Sequence, residues 1–276
     1  MSRTRTSIPE SPTEADFLRH WQAAVASVAG DATALAVAGG SVADRLAWVF
    51  MSGYQAALLR CFPEFVGNGW SCLAAAEPEG GPGCTLEATG DGFRLTGRKS
   101  WIAGARSVES LVISVSAGAG RSFVLVPRHA VGLSITVPRE PTFLKELSQG
   151  AAAFDGVHVP ERHVVADPAR ARLFRGAEPL YVLVALNACV SAAAAGARNS
   201  RLSLLAANAL DVGREFAGYL GDWARFDPAL DGLKAATMLV VDAVAKPGLK
   251  GLPDSLRKSW AADARLFRMF GVDGLL

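Results

Sequence analysis

The sequence of 276 residues has no excess of either charge: 28 Lys and Arg stand against 26 Asp and Glu, for a formal net charge of +2. It also has no stripe of basic residues interleaved with aromatics. Nucleic acid is therefore not an expected partner. Cysteine is scarce. Cys61, Cys72, Cys84 and Cys189 have neither metal-ligand spacing nor the density of a disulfide framework, and they read as reduced thiols of a cytoplasmic protein. Histidine is equally sparse, and His20, His129, His158 and His163 do not pair with acids at metal-site spacing, so no metal is expected. The opening segment MSRTRTSIPESPTEADF lacks the apolar core of a signal peptide. There is no internal repeat, and no low-complexity tract beyond Ala-rich helix. A single run, LYVLVALNACVSAAAAGA (Leu180–Ala197), approaches the length of a bilayer span. Its Ala and Gly content and the lack of flanking basic clusters point instead to a buried helix.

What is present is an apolar half of the composition, enough for a sizeable core, and a hydrophobic period that changes twice. Residues 11–62 read as helical. Ser11–Glu14 (SPTE) has the form of a capping box with Pro12 at the first helical position, leading into Phe17, Leu18, Trp21, Val25 and Val28 at helical spacing. A second helix is expected from Ser41 as N-cap, ending at Pro63. From Trp70 to Asp167 the period falls to two, in short stretches such as GFRLTGRKSW, SLVISVSA, SFVLVPR, GLSITVPR and AAAFDGVHVP. Turns such as TGDG and AGAGR separate them, as in an antiparallel barrel or sandwich. The helical pattern returns at Ala169, with breaks expected at Gly213, Asp227-Pro228 and Lys246–Pro253. The expected class is α+β, divided as 1–69 (helical), 70–168 (β) and 169–276 (helical bundle).

Four segments occur in one order: CLAAAEPEGG (Cys72–Gly81), LTGRKSWIAGA (Leu95–Ala105), FVLVP (Phe123–Pro127) and AAAFDGVHVPERHVV (Ala151–Val165). Together they resemble the middle β domain of the acyl-CoA dehydrogenase family. GGSVADRLAWVF and DARLFRMFG resemble, more weakly, helices of the two flanking blocks, both of which are shortened here. The resemblance implies FAD as cofactor, with Ala74, Ala76, Trp101, Ile102 and Ala103 along the flavin and Pro82 on the substrate side. An indole supplies area and orientation for a planar ring, and small residues after it let backbone approach closely. Three polar side chains of the family pattern are absent: Ala103 and Ala76 stand where it has Thr, and Pro82 stands where it often has Ser. The Arg-x-x-Phe-Gly and Gln-x-x-Gly-Gly segments expected at the cofactor's pyrophosphate are also absent, leaving Arg198 and Arg201 as surface cations.

The family's reaction is α,β-dehydrogenation of an acyl-CoA thioester, and it needs a carboxylate at the α-carbon. Counting from Asp263-Ala264-Arg265 puts Gly271 at the usual Glu position. Asp273 is a candidate for a displaced base. Glu178, near the start of the first C-terminal helix where other members carry the base, is a second candidate; the alignment sets the base position nearer Pro179 or Leu180, and Pro179 suggests a first-turn acid whose carboxylate the helix dipole would stabilise. Related flavin monooxygenases use a His on this fold, and none of the four histidines can be matched to it. The implied arrangements are a homo-oligomer built through the C-terminal helices, or a hetero-oligomer in which a full-length relative supplies what this chain lacks. A fold relative that binds a ligand or protein without flavin is the alternative.

Overall fold

The computed structural model describes residues 8–28, 30–65, 67, 69–81, 83–117, 120–138, 141–246, 249 and 252–273. Three helices come first: α1 (Glu14–Val25), α2 (Ala32–Ser41) and α3 (Leu46–Cys61). Eight strands follow: β1 (Ser71–Ala74), β2 (Thr85–Thr89), β3 (Gly92–Ala103), β4 (Ser110–Ala117), β5 (Gly120–Pro127), β6 (Leu133–Thr136), β7 (Gln149–Val159) and β8 (Val164–Val165). Five helices close the described chain: α4 (Ala169–Gly196), α5 (Ser200–Ala217), α6 (Trp223–Ala245), α7 (Asp254–Ala262) and α8 (Arg265–Phe270). The chain forms two compact units, 61–174 and the combination of 1–60 with 175–276. The two helical blocks thus share one unit.

The helical unit is organised on α4, whose residues 180–190 are all buried. By length and composition α4 could cross a membrane, yet 72% of its most apolar window is buried within the chain. Each fully buried Leu or Val there contributes about 1.5–3 kcal/mol. The expected buried helix is thus found, with Leu180–Ala197 packed against Gly40 of α2, Gly53 of α3, Gly213 of α5 and Thr237 of α6. Glycines make the approach possible. A Cβ on Gly40 would overlap the backbone of Ala185, and one on Gly53 would overlap Val182 and Tyr181. The Cys189 thiol donates to the Ala43 carbonyl at 3.1 Å, and the buried Asn187 amide donates to Thr237 Oγ1 of α6 at 2.9 Å.

Several helix boundaries differ from the sequence reading. Thr13 caps α1, its hydroxyl accepting the Asp16 N–H, and Pro12 lies before the cap. Ser41 ends α2, its hydroxyl donating to the Val37 carbonyl at 2.7 Å, and the break falls at 42–45. The buried Asp44 of that break accepts the Ser11 N–H and pairs with Arg45 at 2.8 Å. Neither Gly213 nor Pro228 interrupts a helix. Gly213 is instead a contact glycine, because a Cβ there would lie 2.7 Å from a Val184 methyl. Glu178 is not a first-turn acid: α4 starts at Ala169 and places it in the helix interior.

The β unit holds two four-stranded sheets, ordered β1-β4-β5-β8 and β2-β3-β7-β6. Among the described residues all pairings are antiparallel except β1–β4. Alternation explains the burial of β3, where Leu95 and Lys99 face inward and Arg94, Thr96 and Arg98 face out. Arg170, in the first turn of α4, donates to the Cys61 carbonyl at 2.7 Å and Glu64 Oε1 at 2.6 Å, joining the two ends of this unit.

Candidate functional site

The end of β3 carries most of the candidate residues. The pairing of β3 with β7 shifts register between Lys99 (opposite Ala152) and Ile102 (opposite Gly150). One extra residue is therefore accommodated at Ser100–Trp101. Such a bulge breaks the alternation and re-aims the side chain it contains. Trp101 is half-buried, and its indole N–H donates to Gln149 Oε1 at 3.2 Å. The Gln149 amide N–H in turn donates to the Phe143 carbonyl at 2.8 Å.

Beyond the indole the strand dives inward. Ile102 and Ala103 have no exposed surface, and the Ala103 N–H donates to Cys72 Sγ at 3.3 Å. Gly104 turns the chain at φ +66, a conformation open to glycine without strain. The N–H groups of Gly104 and Ala105 both donate to the Ser148 carbonyl, at 2.8 and 3.2 Å, and the Arg106 N–H donates to Ser148 Oγ at 2.9 Å. Ser148 thus holds the turn that follows Trp101, and its neighbour Gln149 holds the indole.

The segment after β1 is stitched to the same strand. Ala74 is buried at the end of β1, and Ala76 is exposed, its carbonyl accepting the Ser100 N–H at 2.9 Å. Lys99 is 1% exposed, and its ammonium donates to Glu77 Oε1 at 2.9 Å and the Ala75 carbonyl at 3.3 Å. That ammonium holds the Glu77 carboxyl below its ordinary pKa. The backbone hydrogen bonds bring Ala76 and Ala103 onto one framework with Trp101. Pro82 lies outside the described residues.

The candidate acids lie in the helical unit. Glu178 is half-buried, and loss of solvent pushes its pKa up from 4.5 to about 7. Pro179 beside it has no N–H to give to the carbonyl four residues back, a local irregularity in the helix. Gly271 sits just past α8 at φ +69 and terminates it in a left-handed cap, its N–H donating to the Arg268 carbonyl at 3.2 Å. Asp273 is half-buried two residues on. Among the histidines, His20 Nδ1 lies 2.9 Å from Ser11 Oγ, and His158 is an exposed residue 3.9 Å from Asp91. Among the described residues no group of three or more His, Cys, Asp or Glu could hold a metal.

Sequence reasoning missed Lys99, Glu77, Gln149 and the elevated pKa of Glu178. The inward parity of Lys99 in the alternating strand was a usable signal. Gln149 had none, being separated from Trp101 by three strands, β4, β5 and β6, and their loops.

No protein-family model and no curated protein sequence matches the chain. Solved structures do. A putative acyl-CoA dehydrogenase from Mycobacterium smegmatis is 18% identical, with 88% of this chain and 77% of that one covered at a TM-score of 0.56. TdsC from Paenibacillus sp. A11-2, in complex with FMN and indole, is 15% identical, with coverage of 98% and 87% and a TM-score of 0.61. The FAD complex of PigA is 12% identical, with coverage of 89% and 83% and a TM-score of 0.58. The chain has the acyl-CoA dehydrogenase-like fold.

For a flavin, the planar part has a fitting surface in the half-buried Trp101 indole and the exposed Ala76, whereas Ala74, Ile102 and Ala103, expected along the ring, have no exposed surface to offer it. The polar edge has fewer donors, since Ala76 and Ala103 carry no hydroxyl and the Ala103 N–H is already given to Cys72.

Proposed function

We propose that this chain is a flavin-binding oxidoreductase subunit that acts on an acyl-CoA-type thioester, weakly by itself or in a complex completed by a full-length relative. The observation that carries the reading is the bulge at Ser100–Trp101, which sets an indole at a strand end immediately before a close-packed, glycine-turned backbone. FAD and FMN complexes of other proteins with this fold support the choice of cofactor class. Trp101 would hold the ring system by its face, with the exposed Ala76 as its small neighbour and the buried Ala103 behind it. The flavin, when bound, supplies the hydride acceptor.

Of the candidate bases, Glu178 is the better placed by chemistry. A carboxyl with a pKa of about 7 is ionised in about half of the molecules at neutral pH and gains proton affinity over an ordinary Glu. Gly271 has no group to accept a proton, and its left-handed backbone is a helix terminator. Association through the C-terminal helices would engage exposed apolar residues there, of which Leu204 and Leu239 are 63% and 58% exposed.

One observation favours the alternative of a ligand-binding relative without flavin: the backbone donor at Ala103 is internally satisfied. The test is an absorbance spectrum of the purified chain, alone and titrated with FAD and FMN, with light scattering alongside. A flavin spectrum perturbed on binding supports the proposal, with affinity raised by co-expression with a full-length relative. Absence of binding in every combination favours the alternative.

A further inference from the structure

We propose that Gln149 is the positioning residue of the Trp101 platform, fixing the plane of the indole before any ligand arrives. The inference rests on the flavin reading for its functional sense and on the hydrogen bonds alone for its geometry. An indole offers one donor and no acceptor, and a backbone carbonyl offers only an acceptor. A side chain bridging the two must accept from one and donate to the other. The Gln149 amide does so in a single orientation, with Oε1 toward the indole at 3.2 Å and Nε2 toward Phe143 at 2.8 Å. Glu, the isosteric alternative, is ionised at neutral pH and offers acceptors alone.

The need for such a bridge follows from the bulge. Trp101 lies where β3 departs from alternation, so a regular pleat does not set the direction of its side chain. The second torsion of Trp is broad and softly restrained. The anchor itself is firm. Gly150, next in sequence, is pressed so close that a Cβ there would lie 2.7 Å from Ala105 Cβ and 2.6 Å from the Thr136 carbonyl. Ser148 on the other side receives the N–H groups of Gly104, Ala105 and Arg106. Gln149 therefore projects from a backbone that cannot shift, and a ring held in advance costs less to order on binding.

The test uses the full chain labelled with nitrogen-15. The Trp101 indole N–H resonance is the one lost in Trp101→Phe. In Gln149→Leu, without flavin, this resonance is expected to shift and to exchange faster with water. FAD affinity, read by flavin fluorescence, is expected to weaken about 3–10-fold, the size of one lost hydrogen bond. In the Trp101→Phe background the same substitution is expected to add nothing, because the two residues act as a unit. Gln149→Glu keeps an acceptor for the indole but removes the donor to Phe143 and sets a carboxylate oxygen against that carbonyl, so the side chain should turn away from it and the resonance should move here too. An unmoved indole resonance in both variants, or additive losses in the double variant, overturns the proposal. A moved resonance with no flavin binding by the wild-type chain instead sinks the flavin reading and leaves Gln149 as an organiser of Trp101 alone.

Discussion

Replacing Glu178 with Gln separates the cost of burying this carboxyl from the use made of it. In the native chain burial keeps the proton on to about pH 7, whereas the ordinary value, which the unfolded chain follows, is 4.5. Between these two values the native state binds more protons than the unfolded one, so stability falls as pH rises and the loss is complete above the native pKa. At about 1.4 kcal/mol per pH unit the gap amounts to about 3 kcal/mol, an upper figure because part of the residue remains in water. Gln has the same shape and no charge to bury. Glu178→Gln is therefore expected to be more stable than the native chain by a margin that is small near pH 4.5 and reaches about 1–3 kcal/mol by about pH 8. For a chain of this size that is about 2–4 °C in Tm per kcal/mol. Thermal and urea melts across this range are the assay. Parallel pH profiles for the two proteins would refute the reasoning. If Glu178 is also the base, the same variant loses turnover by about 10²–10⁴ while gaining stability, and native turnover rises with pH through about 7.

Gly53→Ala is expected to cost about 1–3 kcal/mol in urea denaturation, because the methyl group falls on the α4 backbone. Gly196→Ala, with nothing within 4 Å, should be neutral or slightly stabilising. Gly271→Glu should fold, since the nearest atom to its Cβ is Lys234 Cδ at 3.8 Å, but lose about 1–2 kcal/mol to left-handed strain. It should acquire no dye-reducing activity with a panel of acyl-CoAs, and a clear gain would point to Gly271 as the vacated base position. In the β unit, Glu77→Ala leaves the buried Lys99 ammonium with the Ala75 carbonyl as its remaining hydrogen-bond partner and should cost about 3 kcal/mol. Lys99→Met removes the charge itself and should stay within about 1 kcal/mol of the native chain by the same melts.

The β region was legible because its information is local. In β3 and β7 the side chain on each residue reports which face is buried, so the alternation around Leu95 and Phe154 placed the strands to within a few residues. The four ordered segments pointed to the fold, and the fold neighbours agree. Breaker residues misled where packing overrides local preference. Gly213 is a contact surface for Val184 and not a helix end, and Ser41 satisfies its hydroxyl on the preceding turn, not as a cap.

The candidate site divides in the same way. Trp101 and its small neighbours could be picked out of the sequence because a Trp-Ile pair followed at once by Ala-Gly-Ala is unusual at a strand end. The residue that holds the indole could not, since Gln149 reaches it only after β4, β5 and β6 have folded the chain back on itself. The sequence by itself determined where helical character gives way to strand and returns, and which residues resemble a flavin surface, since periodicity and residue type act over a few neighbours. Only the tertiary structure decided that Lys99 is buried against Glu77, that α4 is covered by its own chain, and that Glu178 holds its proton to about pH 7. Desolvation and pairing depend on what surrounds a group in space, and that is set by segments far apart in the chain.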